Sequence, residues 1–163
     1  MIMVLIMNKI NYIVIDIDGT LTDGKILVTS NGEEILNFSV YDGNAIVNVE
    51  NFQKKIIILS GRKSKASLNR MKNLRLKNIH LGIPNKLSFL KSIINDKELK
   101  NNTLVIGDDY PDLEIFNFCK YKACPANAVK EIKNLSQFIS SLNGGNGAVR
   151  EILNYFNLFK KNQ

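Results

Sequence analysis

The sequence is poor in several residue types that carry common chemistry. It has no tryptophan, one histidine and two cysteines in 163 residues. Cys119 and Cys124 are not spaced as a CxxC pair and have no histidine nearby, so neither a zinc site nor a redox dithiol is indicated. We interpret both cysteines as buried free thiols, and the sole histidine, His80, as a structural residue.

The sequence also lacks a hydrophobic run long enough to cross a membrane. Its apolar start, MIMVLIM, is far too short to span a bilayer, and it has neither the basic start nor the small-residue cleavage site of a signal peptide. We therefore expect a cytoplasmic protein without a membrane partner. Met7 is an alternative translation start, because MNKINYIVIDIDG is a natural beginning.

Acidic residues are outnumbered by basic ones, which gives a formal net charge of +7. This charge would attract a phosphorylated substrate, and it would equally attract nucleic acid or an anionic lipid surface. The basic run from Arg62 to Lys77 contains no acid, and we interpret most of it as one solvated helix face. It lacks the interleaved aromatic residues that stack on single strands, so we expect no nucleic-acid partner.

The length and a hydrophobic content of 45% fit one globular domain over residues 1–163. Helical patterns alternate with short apolar runs that are typical of strands buried on both faces. This alternation predicts an α/β fold, a doubly wound open parallel sheet with helices on both faces. The predicted strands are 12–15, 55–60, 103–107 and, with a weaker signal, 78–82 and 121–124.

Two segments depart from this rhythm. Asn31-Gly32 stands between two β-rich runs, which predicts an antiparallel β-hairpin flap over about 25–40, inserted after the first strand. Leu36, Phe38 and Val40 alternate as one apolar face of this flap. At the other end, a Gly-rich loop and a last amphipathic helix are predicted over about 143–160, with its apolar residues at Val149, Ile152, Leu153, Phe156 and Phe159.

Carboxylates follow two of the predicted strands. Asp16 and Asp18 come after the first strand, and Asp108, Asp109 and Asp112 follow the strand at 103–107. Ligands bind outside the carboxyl ends of the strands in such sheets, and clustered carboxylates repel one another unless a cation lies among them. All-oxygen ligands of this kind suit Mg²⁺.

The first acidic segment could also be a calcium loop or an acidic turn without chemistry. A calcium loop fails on spacing, because counting from Asp16 puts Leu21 at the sixth position and Leu27 at the twelfth, where such a loop needs Gly and Glu. An acidic turn without chemistry is the alternative for Asp23, which precedes Gly24.

Two more polar residues belong to the candidate site. Ser60 ends a buried strand, where its hydroxyl and the backbone N–H groups that follow, beginning with Gly61, could hold phosphate oxygens. Lys86 opens a predicted helix, although the helix dipole disfavours cations there. A local rule broken without local compensation suggests a functional site.

The order DxDGT, strand-end Ser, Lys, GDDxxD resembles the haloacid dehalogenase superfamily of phosphohydrolases. Within it, LTDG, SGRKS, NKLS, ACPANA and GGNGAVRE resemble the 3-deoxy-D-manno-octulosonate 8-phosphate phosphatases and their relatives that act on nine-carbon sialic-acid-like sugar phosphates. The resemblance runs from about Tyr12 to Glu151. It implies a Mg²⁺-dependent phosphatase.

The resemblance also implies roles for the acidic residues. Asp16 would be the nucleophile that forms an aspartyl-phosphate, and Asp18 would protonate the leaving sugar oxygen and then activate water. Asp16, the backbone carbonyl of Asp18 and the side chain of Asp108 would hold Mg²⁺. Asp109 or Asp112 would orient these ligands.

Further implied roles concern the substrate. Ser60 and Lys86 would hold the phosphoryl oxygens, and Arg62 and Arg70 would bind the acidic sugar, since a guanidinium can pair with a carboxylate through two hydrogen bonds. The resemblance further implies a protein without a cap domain, and a homotetramer in which the flap and a neighbour's C-terminal segment help to enclose the site.

One segment departs from the subfamily pattern. Ser39 to Gly43 matches a substrate-contacting segment, which makes Tyr41, Asp42 and Gly43 candidate substrate residues. The subfamily usually has Arg-Asp-Gly-x-Gly, whereas this chain has YDGNA, and Val47 stands where an Arg is often found. The choice between an eight-carbon and a nine-carbon acidic sugar phosphate therefore stays open.

Two further classes of protein share part of this pattern. Phospho-receiver domains are also small doubly wound sheets that use Asp, Ser or Thr, Lys and Mg²⁺, but they signal rather than turn over a substrate. A receiver accepts phosphate on an Asp after its third strand, whereas this chain has DxD after the first strand and no Asp at Ser60-Gly61. A nucleic-acid-binding protein would show salt-sensitive binding.

Overall fold

The computed structural model of the protein describes residues 9–51 and 54–158, without the side chains of Glu50 and Asn51. The alternative start at Met7 and the predicted apolar residue Phe159 lie outside the described residues. Within them, the chain forms a six-stranded sheet flanked by helices and a separate two-stranded hairpin. In the described part of the chain, no helix combines the length and the apolar character needed to cross a bilayer.

The six-stranded sheet is parallel throughout, and its strand order is β5-β4-β1-β6-β7-β8. The order reverses at β1, which places the carboxyl end of β1 between those of β4 and β6. This is the position where open α/β sheets bind ligands. The strands are β1 Tyr12–Ile15, β4 Lys55–Ser60, β5 Ile79–Leu81, β6 Thr103–Ile106, β7 Tyr121–Cys124 and β8 Phe138–Ile139.

Helices cover both faces of the sheet, as the doubly wound prediction requires. They are α1 Val40–Asn51, α2 Lys65–Asn73, α3 Lys86–Ile93, α4 Asp96–Asn101, α5 Leu113–Phe118, α6 Lys130–Leu135 and α7 Ala148–Tyr155, with a 3₁₀ turn at Tyr110–Asp112 before α5. Ser64, Asn85 and Asn95 accept hydrogen bonds from backbone N–H groups at the starts of α2, α3 and α4. These are the usual residues at a helix N-cap.

Alternation along the central strands divides the core into two halves. Ile13 and Ile15 of β1 face α1 and α7, whereas Val14 faces the other side, where Leu90 of α3 and Phe116 of α5 are buried. Successive side chains of a strand point to opposite faces, so a strand covered on both faces reads as a continuous apolar run. Cys119 and Cys124 are free and buried, as interpreted from the sequence.

The predicted hairpin is present, but it is shorter than expected. β2, Leu27–Val28, pairs antiparallel with β3, Glu34–Ile35, through a turn in which the Gly32 N–H donates to the Thr29 carbonyl. Gly32 has φ +77°, a conformation that favours glycine. We use "flap" below for residues 25–38.

The predicted apolar face of the flap was wrong. Phe38 forms an isolated antiparallel bridge with Thr22 and packs on the core, while Val40 already begins α1 and is 73% exposed. The exposed apolar side chains of the flap are instead Ile26, Leu27, Val28 and Ile35. The alternating pattern ended early because Ser39 starts a helix there, its hydroxyl accepting hydrogen bonds from the backbone N–H groups of Tyr41 and Asp42.

The Gly-rich loop before α7 packs directly on the loop that follows β1. A Cβ atom at Gly144 would lie 2.0 Å from the carbonyl oxygen of Gly19, so only glycine fits. Asn127 joins the same contact, because its amide donates to the Gly19 carbonyl and its side-chain oxygen accepts from the Gly144 N–H. The C-terminal motif therefore supports the first acidic loop.

Candidate active site

The loop after β1 turns sharply so that its carboxylates face the edge of the sheet. The Leu21 and Thr22 N–H groups both donate to the Ile17 carbonyl, and the Thr22 hydroxyl accepts from the Gly19 N–H. Gly19 has φ +91°, and a Cβ atom there would lie 2.1 Å from Oδ2 of Asp108. Glycine at this position lets the first acidic loop approach the Asp108 carboxylate closely.

Three buried carboxylates meet at this edge. Asp16, Asp108 and Asp112, called the carboxylate cluster below, each offer an oxygen atom within 4.8 Å of the others. Asp108 Oδ1 accepts a 2.8 Å hydrogen bond from the Thr20 hydroxyl, and Asp112 Oδ2 accepts a 3.1 Å bond from the Asp108 N–H. Asp112 follows Pro111 in the 3₁₀ turn, which returns its side chain towards Asp108.

Lys86 neutralises part of this charge. Its Nζ donates to Asp16 Oδ1 at 2.5 Å and to Asp112 Oδ1 at 2.6 Å, and the residue is only 4% exposed. These contacts explain why a cation stands at the start of α3 against the helix dipole: two buried carboxylates outweigh an effect of about 0.3–1 kcal/mol. The misfit noted in the sequence thus marks a residue of the site.

Burial and mutual repulsion perturb the ionisation of these groups. Burial, followed by repulsion from Asp112, holds the pKa of Asp16 well above its usual value, although Lys86 opposes the shift. Burial also raises the pKa of Asp108 to about 7, against the hydrogen bond from Thr20. Burial by itself lowers the pKa of Lys86, but attraction to Asp16 and Asp112 outweighs it, and the net shift is upward.

The carboxylate cluster fits a hard divalent cation. With all three carboxylates ionised, one ammonium group leaves excess negative charge in a buried space, which a cation would offset. Carboxylate oxygens in this number are ligands that Mg²⁺ accepts, with water and phosphate oxygens completing its octahedron. Asp112, which the sequence suggested would orient the ligands, stands within the same 4.8 Å group of carboxylate oxygens.

A second group of charges, called the arginine cluster below, consists of Asp18, Glu34 and Arg62. The Arg62 Nε and Nη2 atoms donate to Asp18 Oδ2 and Oδ1 at 3.3 and 2.5 Å, and Nη1 donates to Glu34 Oε1 at 2.6 Å. The side chains of all three residues are about 30% exposed. Ser60 contacts the arginine cluster, because its hydroxyl donates to Asp18 Oδ2 at 3.3 Å and accepts from the Arg62 N–H.

Three of the predicted acidic residues lie apart from these contacts. Asp109 is exposed and accepts a hydrogen bond from the Tyr110 N–H at the start of the 3₁₀ turn. Asp23 accepts from the Lys25 N–H, which agrees with a role in the turn. Asp42 is 1% exposed, and its carboxylate accepts from the Gly147 and Arg150 N–H groups at the start of α7.

The three residues from Tyr41 to Gly43 have different surroundings. The Asp42 carboxylate is engaged with the start of α7. Tyr41 is 65% exposed, with the Arg150 guanidinium 5.6 Å from its ring centre. A Cβ atom at Gly43 would lie 2.8 Å from Nη2 of Arg70, so this glycine gives the Arg70 guanidinium its space. Gly61 is exposed beside Ser60.

Sequence reasoning missed three residues that hold the site together. Thr20 positions Asp108, Asn127 supports the Gly19 carbonyl, and Glu34 binds Arg62 from the flap. Thr20 belongs to the DxDGT motif and Asn127 to ACPANA, so their motifs offered a signal. Glu34 had none, because it stands in a polar turn region where a Glu is ordinary.

Known proteins resemble this chain over most of its length. A family model described as haloacid dehalogenase-like hydrolase matches residues 84–152. The 3-deoxy-D-manno-octulosonate 8-phosphate phosphatase of Haemophilus influenzae is 33% identical over 147 residues, which cover 90% of this chain and 82% of that protein.

Solved structures agree with the sequence comparison. The 3-deoxy-D-manno-octulosonate 8-phosphate phosphatase of Moraxella catarrhalis, crystallised with a magnesium ion, a phosphate ion and a KDO molecule, matches with a TM-score of 0.85 and 30% identity over 95% of this chain and 92% of that one. The cobalt-bound form of the Haemophilus influenzae phosphatase matches with a TM-score of 0.80 and 31% identity, over 93% of this chain and 92% of that one.

Proposed function

Because this chain belongs to the 3-deoxy-D-manno-octulosonate 8-phosphate phosphatase family of haloacid dehalogenase-like hydrolases, we propose that it removes the terminal phosphate of 3-deoxy-D-manno-octulosonate 8-phosphate in a Mg²⁺-dependent reaction. The chain is a phosphoric monoester hydrolase by this membership. This membership does not fit the alternative from a different class, a phospho-receiver domain.

The single observation that carries the proposal is the carboxylate cluster with Lys86. Three buried carboxylate oxygens and one buried ammonium group stand at the carboxyl end of β1, where a doubly wound sheet binds its ligand. In our proposal Asp16, the backbone carbonyl of Asp18, and Asp108 hold Mg²⁺, with Asp112 as a neighbouring carboxylate. Bound Mg²⁺ would neutralise charge on the transferring phosphoryl group.

The remaining steps fall to side chains of this chain. Asp16 attacks phosphorus and forms an aspartyl-phosphate, which divides a difficult hydrolysis into two easier steps. Asp18 gives a proton to the leaving sugar oxygen and later takes one from the attacking water. Lys86 and the Ser60 hydroxyl, with the Gly61 N–H, bind phosphoryl oxygens; the support is that Lys86 contacts Asp16 and Ser60 contacts Asp18. Arg62 and Arg70 bind the sugar acid.

A nine-carbon sialic-acid-like 9-phosphate is the second candidate substrate. The observation that favours it is the departure of the segment from Tyr41 to Ala45 from the Arg-Asp-Gly-x-Gly pattern, together with Val47 in place of Arg. Fewer cations near the sugar would change which acidic sugar binds best.

The test is phosphate release from the eight-carbon and nine-carbon sugar phosphates, assayed side by side with Mg²⁺ and with a chelator. We expect Mg²⁺-dependent turnover of at least one of them, and the ratio of the two kcat/KM values identifies the preferred sugar. Mn²⁺ and Co²⁺ should be assayed in parallel. If neither sugar phosphate is turned over with Mg²⁺, the proposed substrate class is wrong.

We also propose that the protein is a homotetramer assembled through the flap and the C-terminal segment. The support is the exposed apolar surface of the flap, formed by Ile26, Leu27, Val28 and Ile35. Exposed apolar patches of this kind mark interfaces. Sedimentation of wild type and of a Leu27→Ser, Ile35→Ser double variant tests this, and a wild-type monomer would contradict it.

A further inference from the structure

Arg62 is shared between two carboxylates, which restricts how it can bind a third. Its Nε–Nη2 edge is paired with Asp18 and its Nη1 atom with Glu34. One positive charge therefore faces two negative ones in the arginine cluster. A carboxylate on the substrate gains a two-bond contact with Arg62 only by replacing one of them, because additional negative charge beside an already satisfied guanidinium is repelled.

Glu34 is the better held of the two carboxylates. Its Oε2 accepts a 2.6 Å hydrogen bond from the Ser64 hydroxyl, and Ser64 is itself fixed because its oxygen accepts from the Ser67 N–H at the start of α2. The bonds from Ser64 and Arg62 lower the pKa of Glu34. The hydrogen bond that Asp18 accepts from the Ser60 hydroxyl is longer, at 3.3 Å, than the 2.6 Å bond between Ser64 and Glu34.

We propose that Glu34 is a positioning residue for substrate recognition: it holds the Arg62 guanidinium from the flap, so that the edge now paired with Asp18 can receive the carboxylate of an acidic substrate. This inference rests on the proposed function and extends it to a flap residue. Glu34 touches Arg62 and Ser64, and it acts through Arg62.

The exchange also links substrate recognition to the freedom of Asp18. When a substrate carboxylate takes the Nε–Nη2 edge, the Asp18 side chain is released to face the reacting oxygen while Glu34 keeps the guanidinium in place. A phosphate ester without a carboxylate cannot take that edge, so it leaves the Asp18 contact intact. Glu34 should therefore matter for esters that carry a carboxylate and much less for those that lack one.

The experiment compares Glu34→Ala with Glu34→Gln and with the matched control Glu33→Ala. Glu33 is the adjacent flap residue of equal charge; it is exposed, and its described hydrogen bonds are made by its backbone, to Thr29. Steady-state kinetics with Mg²⁺ use the eight-carbon ulosonate phosphate and a pair that differs in a carboxylate, 3-phosphoglycerate and glycerol 3-phosphate. Thermal unfolding confirms that each variant is folded.

We expect Glu34→Ala to raise KM for both carboxylate-bearing esters about tenfold, the effect of losing one charge-assisted hydrogen bond, with kcat changed less than about twofold. KM for glycerol 3-phosphate should stay at the wild-type value. Glu34→Gln retains an acceptor oxygen and should recover part of the loss, and Glu33→Ala should match wild type. In an Arg62→Ala background, Glu34→Ala should cause no further rise in KM for the carboxylate-bearing esters.

Several results would overturn the inference. An equal rise in KM for esters with and without a carboxylate would show a general disturbance of the site. A lower KM for the carboxylate-bearing esters would show that Glu34 competes with the substrate. A full additional rise in KM in the Arg62→Ala background would show that Glu34 acts independently of Arg62. A wild type without preference for 3-phosphoglycerate over glycerol 3-phosphate would show that the site does not recognise a carboxylate, which would also overturn the inference.

Failure of the proposed substrate class is recognised separately. A wild type that hydrolyses 3-phosphoglycerate but neither ulosonate phosphate contradicts the proposed function. The role of Glu34 is then still decided by the pair of small esters, because the pair isolates the carboxylate.

Discussion

The carboxylate cluster and the arginine cluster both meet the loop after β1, yet they are held in different ways. Asp16, Asp112 and Lys86 are buried and paired with one another at 2.5–2.6 Å. The side chains of Asp18, Glu34 and Arg62 are about 30% exposed, and one partner comes from the flap. Removing a buried partner leaves an uncompensated charge, whereas an exposed partner is replaced by water. Loss of Lys86 should therefore affect chemistry and stability together, and loss of Arg62 or Glu34 should affect selectivity.

The largest expected effect comes from the proposed nucleophile. Asp16→Asn keeps the shape of the side chain but removes its nucleophilic charge, so we expect turnover to fall by at least about 10⁴-fold. Circular dichroism and the unfolding midpoint should show an intact fold. Retained activity would remove Asp16 as the nucleophile.

Lys86→Ala tests the buried pairing itself. It leaves Asp16 and Asp112 without their ammonium partner, which should cost about 3–5 kcal/mol of unfolding free energy without Mg²⁺. It should also lower kcat by about 10²–10³-fold through loss of a donor to the phosphoryl group. Denaturant unfolding and phosphate-release kinetics measure the two effects.

The matched control is Lys91→Ala in the same helix. Lys91 forms an exposed ion pair with Asp96 at 3.5 Å, which should contribute less than about 1 kcal/mol. If Lys86→Ala and Lys91→Ala cost the same stability, the contrast between buried and exposed pairs does not hold in this protein.

Arg62→Ala tests whether the arginine cluster controls selectivity. The variant loses a guanidinium that can bind a carboxylate through two bonds, so kcat/KM for the acidic sugar phosphate should fall about 10- to 100-fold. The loss with a generic aryl phosphate should be smaller, while the unfolding free energy changes little. Equal losses with both substrates would contradict a role in binding the sugar acid.

Stability should also depend on pH when Mg²⁺ is absent. The pKa of Asp108 is about 7 in the folded protein, above the value of about 3.9 typical of an unfolded chain. Between these values the folded state binds more protons, so the free energy of unfolding should fall as the pH rises from about 4 to about 7.

Mg²⁺ should reverse this dependence, because it binds the ionised carboxylates. The increase in unfolding midpoint on adding Mg²⁺ should be larger at pH 8 than at pH 6, as scanning fluorimetry can measure. Asp108→Asn should weaken both the decline with pH and the response to Mg²⁺. A midpoint that is independent of pH without metal would argue against a pKa of Asp108 raised by burial and by repulsion from Asp112.

Much of the fold could be predicted because the signals are local. The apolar runs at 12–15, 55–60 and 121–124 became strands with the same bounds, and Asn31-Gly32 became the hairpin turn. The helix Val40–Asn51 was missed, since its N-terminal half, VYDGNA, contains a glycine and matched a substrate segment. The short strand Phe138–Ile139 was also missed, because two residues give no periodic signal.

Part of the candidate site could also be predicted, namely the residues that belong to sequence motifs. Asp16, Lys86 and Asp108 could be found from motif order, and the structure brings them together with Asp112. The sequence suggested Asp42 as a substrate residue and gave no role to Glu34, whereas the structure gives both of them specific contacts. Asp42 proved to be a buried acceptor for the start of α7, and Glu34 proved to bind Arg62. Both contacts join residues 28 or more positions apart, which no local pattern reports.

The sequence by itself determined the alternation of strands and helices, the carboxylates that follow two of the strands, and the family to which the chain belongs. These properties depend on local periodicity and on residues at fixed spacing within motifs. Only the tertiary structure decided which acid pairs with which cation. Asp112 lies beside Asp16 and Asp108 because the 3₁₀ turn folds it back, and Glu34 reaches Arg62, which follows the end of β4, because it stands on the flap. Such pairings are set by strand order and chain reversal, which bring distant residues to one edge of the sheet.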